Sequence, residues 1–115
     1  MLNEIKEKLK GLNPNVFYGL AKVDVEEWNY IVFGRKSHNV SEKNNRDAVE
    51  YYFVAIVNEE YIPEETAASV IETMTSIPGM RVTPGTHDYN YAKKGGTDMT
   101  VEVLELEFYR AKRGR

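Results

Sequence analysis

The sequence of 115 residues contains no cysteine, which excludes disulfides, thiolate metal sites and thiol nucleophiles. That absence fits a reducing compartment. Histidine is scarce as well. His38 and His87 are the two present, neither in an HExxH or HxxxH pattern, so a metal site would need ligands gathered from distant segments. Both are expected in polar loops. No apolar run approaches the roughly 20 residues that span a bilayer. The opening Met1–Lys6 has no apolar core of a secretory signal. A soluble, intracellular protein with no membrane association is expected.

Catalytic signatures are thin. Lys94-Gly95-Gly96-Thr97 lacks the spacing of a phosphate-binding loop and does not open a helix, and no serine has a G-x-S-x-G context. Asp24, Glu26 and Glu27 form a small acidic group that acid–base or Mg²⁺ chemistry could use. They fall in a connecting segment with no partner base, so they read as a solvated turn. Neither catalysis nor a cofactor nor a metal is expected.

What the chain does contain is an ordinary globular composition, 42% hydrophobic and 29% charged, enough for one core. Its length suits a single domain spanning residues 1–115. The net charge of −3 conceals an asymmetry: residues 1–109 hold 11 basic and all 18 acidic residues, while 110–115 hold four basic and no acidic ones. An acidic body with a short basic tail is a poor general nucleic-acid binder. Residues 110–115 read either as a frayed, solvated end or as a contact surface.

Leu2, Ile5, Leu9 and Leu12 form one helical stripe, closed by Gly11 and Asn13-Pro14. Val16–Leu20 and Trp28–Gly34 are β-rich and read as an antiparallel pair. Arg35–Asp47 is polar throughout and reads as a long loop. Ala48–Val57 is the most apolar stretch and reads as a central strand, with Tyr51 and Tyr52 divided between its faces. Pro63, Glu64 and Glu65 open a second helix whose buried face is Ala67, Val70, Ile71, Met74 and Ile77, ended by Pro78-Gly79. Met80–Val82 begins a strand, Thr83–Asp98 is a second long loop, and Met99–Tyr109 is the last strand. In that strand the apolar phase slips between Val103 and Leu104, which predicts a bulge there. The fold class expected is α+β: a single, mostly antiparallel sheet of about five strands with two helices packed on one face.

Eight tyrosines are many for this length, and tyrosine favours surfaces that are part apolar and part wet. Tyr30, Tyr89, Tyr91 and Tyr109 fall at positions where a sheet can be half exposed. They either edge the monomer's own core or meet a neighbour.

Certain words in the chain resemble a known family. They are Trp28–Arg35 (WNYIVFGR), Tyr52–Val57 (YFVAIV), Tyr61–Glu64 (YIPE), Ile77–Arg81 (IPGMR) and Phe108–Lys112 (FYRAK). Together they are similar to tail terminator, or tail completion, proteins of the head–tail junction in long-tailed phages and prophages of Gram-positive bacteria. The resemblance implies a structural virion protein that forms a hexameric ring and caps the tail tube. The ring then joins the tube to the head connector, with DNA passing the lumen without specific binding. It implies as partners a homo-oligomer, the tail tube protein and the connector protein. It places the protein in the virion tail or neck, and in host cytoplasm during assembly. The candidate interface residues are Arg35, Lys36, His38, Lys43 and Arg46 in the first long loop. To these are added Tyr89, Tyr91, Lys93 and Lys94 in the second, and Arg110, Lys112 and Arg113 in the tail. The alternatives are another head–tail connector or tail-assembly factor and, third, a metal-dependent nuclease built on Asp24, Glu26 or Glu27.

Overall fold

The three-then-four spacing of Leu2, Ile5 and Leu9 produces α1 (Leu2–Lys10), in which Ile5 and Leu9 are fully buried. Leu12 lies past the helix end at Gly11 and is 44% exposed. The second helix, α2 (Glu64–Thr75), starts after Pro63, which caps it from outside with Glu64 and Glu65 in the first turn. Those carboxylates face the positive end of the helix dipole. Val70 and Met74 are buried, and so is Ile77 just beyond the last turn. Gly79 then takes φ 82°, a conformation that strains any residue with a Cβ, and turns the chain into the next strand.

The computed structural model describes residues 1–21, 28–40 and 47–113, with 39, 40, 47, 112 and 113 described by backbone alone. Among the described residues, six strands form one mixed sheet. They are β1 (Val16–Tyr18), β2 (Tyr30–Val40), β3 (Asp47–Glu59), β4 (Met80–Val82), β5 (Tyr89–Lys93) and β6 (Thr100–Arg113). The order across the sheet is β1-β2-β3-β6-β4, and β5 also pairs with β6. β4 meets Phe108–Arg110 and β5 meets Thr100–Leu104, so two short strands share one edge of β6 end to end.

Several expectations are corrected. The described residues form six strands rather than about five, because Tyr89–Lys93 pairs with β6 inside what reads as a loop. All five β5 residues are exposed, and the pattern in the segment is the alternation of Tyr89 and Tyr91 with Asn90 and Ala92. β1 runs parallel to β2, with Val16 opposite Ile31, and not antiparallel as its turn-like sequel implies. The polar stretch from Arg35 is strand as far as Val40, and β3 begins at Asp47. Backbone pairing with the apolar β3 supplies the order that the polar side chains do not advertise. His38 is therefore a strand residue. The tail, too, is strand as far as Arg113, paired with Asp47.

The bulge predicted at Val103-Leu104 does not exist. β6 keeps one unbroken register against β3 from Val101 to Arg113. Instead its phase slip reflects a strand with apolar neighbours on both faces: Val101 and Val103 lie on one, and Leu104, Leu106 and Phe108 on the other. Glu102 occupies the second face at 8% exposure, and its Oε1 accepts the Ile62 N–H at 2.7 Å. The actual register shift lies in β2, between Arg35 and Ser37.

The buried cluster joins Ile31, Phe33, Tyr52, Val54, Ile56, Leu104, Leu106 and Phe108, which alternate onto one sheet face, with Ile5, Leu9, Val70 and Met74 of the helices. Each such side chain contributes on the order of 1.5–3 kcal/mol on leaving water. The other face is apolar as well. Val32, Val57 and Val101 are buried there, while Phe53, Ala55 and Val103 are half-buried. Phe53 lies across Gly34, where an added Cβ would stand 2.7 Å from the ring.

Candidate interaction surfaces

β1 pairs with β2 no further than Phe33, and β4 pairs with β6 no further than Arg110. Beyond them β2, β3 and β6 continue as a three-stranded arm, and the molecule is 52 Å long against 25 and 24 Å across. Cross-strand register sets His38, Glu50 and Arg110 in one row, with Arg35, Tyr52 and Phe108 in the parallel row toward the body. The Tyr52 hydroxyl donates to Glu50 Oε2 at 2.9 Å. Burial, then that bond and the Glu50 charge, push the Tyr52 phenol up to about 12. Arg35 Nε donates to the Tyr18 hydroxyl at 3.2 Å, and Arg110 Nε donates to the Pro78 carbonyl at 3.0 Å. The cations at the base of the arm are thus held in place by neutral partners.

On the other face the irregularity around Lys36 turns its ammonium toward Glu107, 3.5 Å away. Tyr51 and Tyr109 sit opposite one another with ring centroids 6.1 Å apart. A 380 Å³ hollow along the arm is lined by residues of both faces, Arg35, Lys36, Ser37, His38, Glu50 and Tyr51.

The far end of the molecule has the opposite character. Tyr61, Tyr89 and Tyr91 are 67%, 49% and 65% exposed. Tyr89, Tyr91 and Lys93 alternate onto one side of β5, opposite Leu104, Glu102 and Thr100. The Tyr91 hydroxyl bonds to the Glu102 carboxylate, which raises its pKa, with partial burial adding to the effect. Because Glu102 also holds the Ile62 N–H, one carboxylate ties β5 to the segment that carries Tyr61. Lys94 Nζ contacts Glu59 Oε1 at 2.7 Å, and Glu59 Oε1 also accepts the Trp28 N–H at 3.1 Å. These two bonds, Lys94 first, hold the Glu59 carboxyl below its ordinary pKa. Lys93 reaches Asp98 at 3.8 Å.

The structure therefore divides the sequence-predicted surface residues. Arg35, Lys36, His38, Arg110, Lys112 and Arg113 come together along the arm, the last two placed by backbone register opposite Ala48 and Asp47. Tyr89, Tyr91, Lys93 and Lys94 gather at the opposite end. Lys43 and Arg46, like Asp24, Glu26 and Glu27, lie outside the described residues. Sequence reasoning missed Glu50, Glu59, Tyr61 and Glu102. For Glu102 a signal existed, since it is the one acid in phase with Leu104, Leu106 and Phe108. Among the described residues no cluster of three or more metal-binding side chains occurs, and no helix is long and apolar enough to cross a membrane. No protein-family model matches the chain, and no curated protein matches it.

Proposed function

We propose that this chain is a structural subunit of the tail terminator type, assembling as a ring that caps a phage tail tube and joins it to the head connector. What supports the reading is the surface. Arg35, Lys36 and Arg110 lie along the arm, the opposite end is acidic and rich in exposed tyrosine, and the second sheet face keeps half-buried Phe53, Ala55 and Val103. Buried side chains of both helices join the cluster on one sheet face, and on this reading the other face meets neighbouring subunits. The words that carry the family resemblance fall on β2, β3, the entry to α2, the turn into β4 and the end of β6. Those elements build the sheet and its arm. An acidic body also suits a lumen through which DNA slides without sticking. On this reading the protein works in the virion neck by contact and not by catalysis.

The deciding experiment is the solution mass of the purified chain, alone and mixed with its tail tube protein. A ring-sized species in either sample, with shortened tubes in the mixture, is expected. A strict monomer that leaves tube growth untouched overturns the proposal, and binding to the head adaptor alone favours a connector.

A further inference from the structure

We propose that β5 is a pairing edge, on which the β5 of a second copy adds antiparallel about a two-fold axis at Tyr91. The inference stands apart from the ring reading, because a two-fold contact closes at two copies and occupies one edge of each. Short strands, proline, bulges and lysines are the devices that keep sheet edges from pairing. The other edges have them. β1 has three residues, with Pro14 before it and Gly19 after it. β4 also has three, and Pro84 follows soon after. The outer half of β2 carries the register shift between Arg35 and Ser37, with Lys36 at that point. β5 is less protected. Its residues pair with Thr100–Leu104 in one unbroken register, include no proline, and are all exposed. Its one charge is Lys93, at the end.

The hairpin shows which backbone groups this edge offers. Lys94 N–H donates to the Met99 carbonyl at 2.9 Å, so Lys94 and Met99 form a hydrogen-bonded pair. Antiparallel pairs alternate between bonded and non-bonded. Lys93–Thr100, Tyr91–Glu102 and Tyr89–Leu104 are therefore non-bonded pairs, and the N–H and C=O groups of Tyr89, Tyr91 and Lys93 point away from β6. The Thr100 carbonyl agrees, since it turns from β5 and accepts the Glu60 N–H at 2.8 Å. Among the described residues, none of these outward groups of β5 has a backbone partner.

One register pairs all of them. Centred on Tyr91, it sets Tyr89 opposite Lys93 of the other copy, Asn90 opposite Ala92, and Tyr91 opposite Tyr91. A slip of one residue sets outward groups against inward ones, and a slip of two leaves one end without a mate. The side chains suit the same register. Directly opposite residues share a face, so the Lys93 ammonium meets a Tyr89 ring and the two exposed Tyr91 rings meet at the axis. Asp88 is exposed and in no ion pair among the described residues, and it comes beside Lys93 of the other copy. The present contact of Lys93 with Asp98, 3.8 Å long and exposed at both ends, is too weak to compete. Tyr91 bonds to Glu102, which holds the Ile62 N–H, so the strand is anchored before a second copy arrives.

The test is sedimentation velocity of the full chain over a concentration series, with circular dichroism to confirm that each variant folds. Wild type should associate through a dimer. Tyr89→Pro should weaken that association by at least about tenfold, because an outward N–H is lost from both copies while β5 and β6 keep their own ladder. Tyr89→Phe keeps the N–H and the ring and should associate as wild type does. The absence of native cysteine allows the register to be read directly. Mixed under oxidising conditions, Asn90→Cys and Ala92→Cys chains should form the mixed disulfide, since the register sets those positions opposite one another. A wild type that stays monomeric overturns the inference, even if its β5 pairs with a strand of another protein. So does association that Tyr89→Pro leaves unmoved, or a cross-link that joins only like chains. A chain that is monomeric alone yet caps tail tubes sinks this pairing while leaving the terminator reading intact. Dimers through β5 with no effect on tube growth do the reverse.

Discussion

Tyr52 shows how one position carries both packing and polarity. Its ring belongs to the buried cluster at 2% exposure, while its hydroxyl reaches out of the core to Glu50. The neighbouring Tyr51 faces the other way and is half-buried, so the division of this pair follows directly from strand alternation. A phenol raised to about 12 in the fold stabilises the protein fully below its ordinary 10, and this contribution is lost as pH rises through about 12. Tyr52→Phe should cost about 0.5–1.5 kcal/mol at neutral pH through the lost hydrogen bond. The gap between wild type and variant should shrink across the alkaline range. Denaturant midpoints measured against pH check this, and a gap that stays constant would show that Tyr52 does not titrate as described. Glu102, by contrast, was illegible in its role. Its place in the apolar phase was visible, but its partner Ile62 is 40 residues away in sequence and is supplied by the turn into α2.

Among the elements, helices and buried strands were readable because their apolar periods are local. β5 and the outer half of β2 were not. The side chains of β5 and of Arg35 to His38 are exposed, and what makes these segments strands is the backbone ladder offered by β6 and β3. The same holds for the end of β6, where Ala111, Lys112 and Arg113 pair with Val49, Ala48 and Asp47. Deleting residues 111–115 should therefore leave the body folded but unpair the tip of β3. Amide exchange of Ala48 and Val49 should accelerate by at least about tenfold, while Val54 and Ile56 stay protected. Equal acceleration at Val54 would mean that the arm and the body unfold as one unit.

At the scale of the whole molecule, charge is arranged along the length of the sheet, and one internal pair ties the acidic end together. Glu59 closes β3 onto the β5–β6 turn through Lys94 and onto Trp28 through a backbone N–H. Its lowered pKa means that the stabilisation is present above the ordinary value of 4.5 and is lost as pH falls through the folded-state value. Glu59→Gln should lower the denaturant midpoint at neutral pH. Wild type and variant should converge in acid, below the point where the wild-type carboxyl is protonated. A difference that persists there would assign the effect to packing and not to charge.

Composition and period alone determined that this chain is α+β, where its two helices begin, and that Ala48–Val57 is its central strand. Those properties depend on neighbours within a few turns of the chain. The parallel pairing of β1, the shared edge of β6, the bulge in β2 and the burial of Glu102 were decided only in three dimensions. So was the gathering of Arg35, Lys36 and Arg110 along the arm. Each depends on backbone groups and charges brought together from distant segments, and no local pattern records which distant segment will arrive.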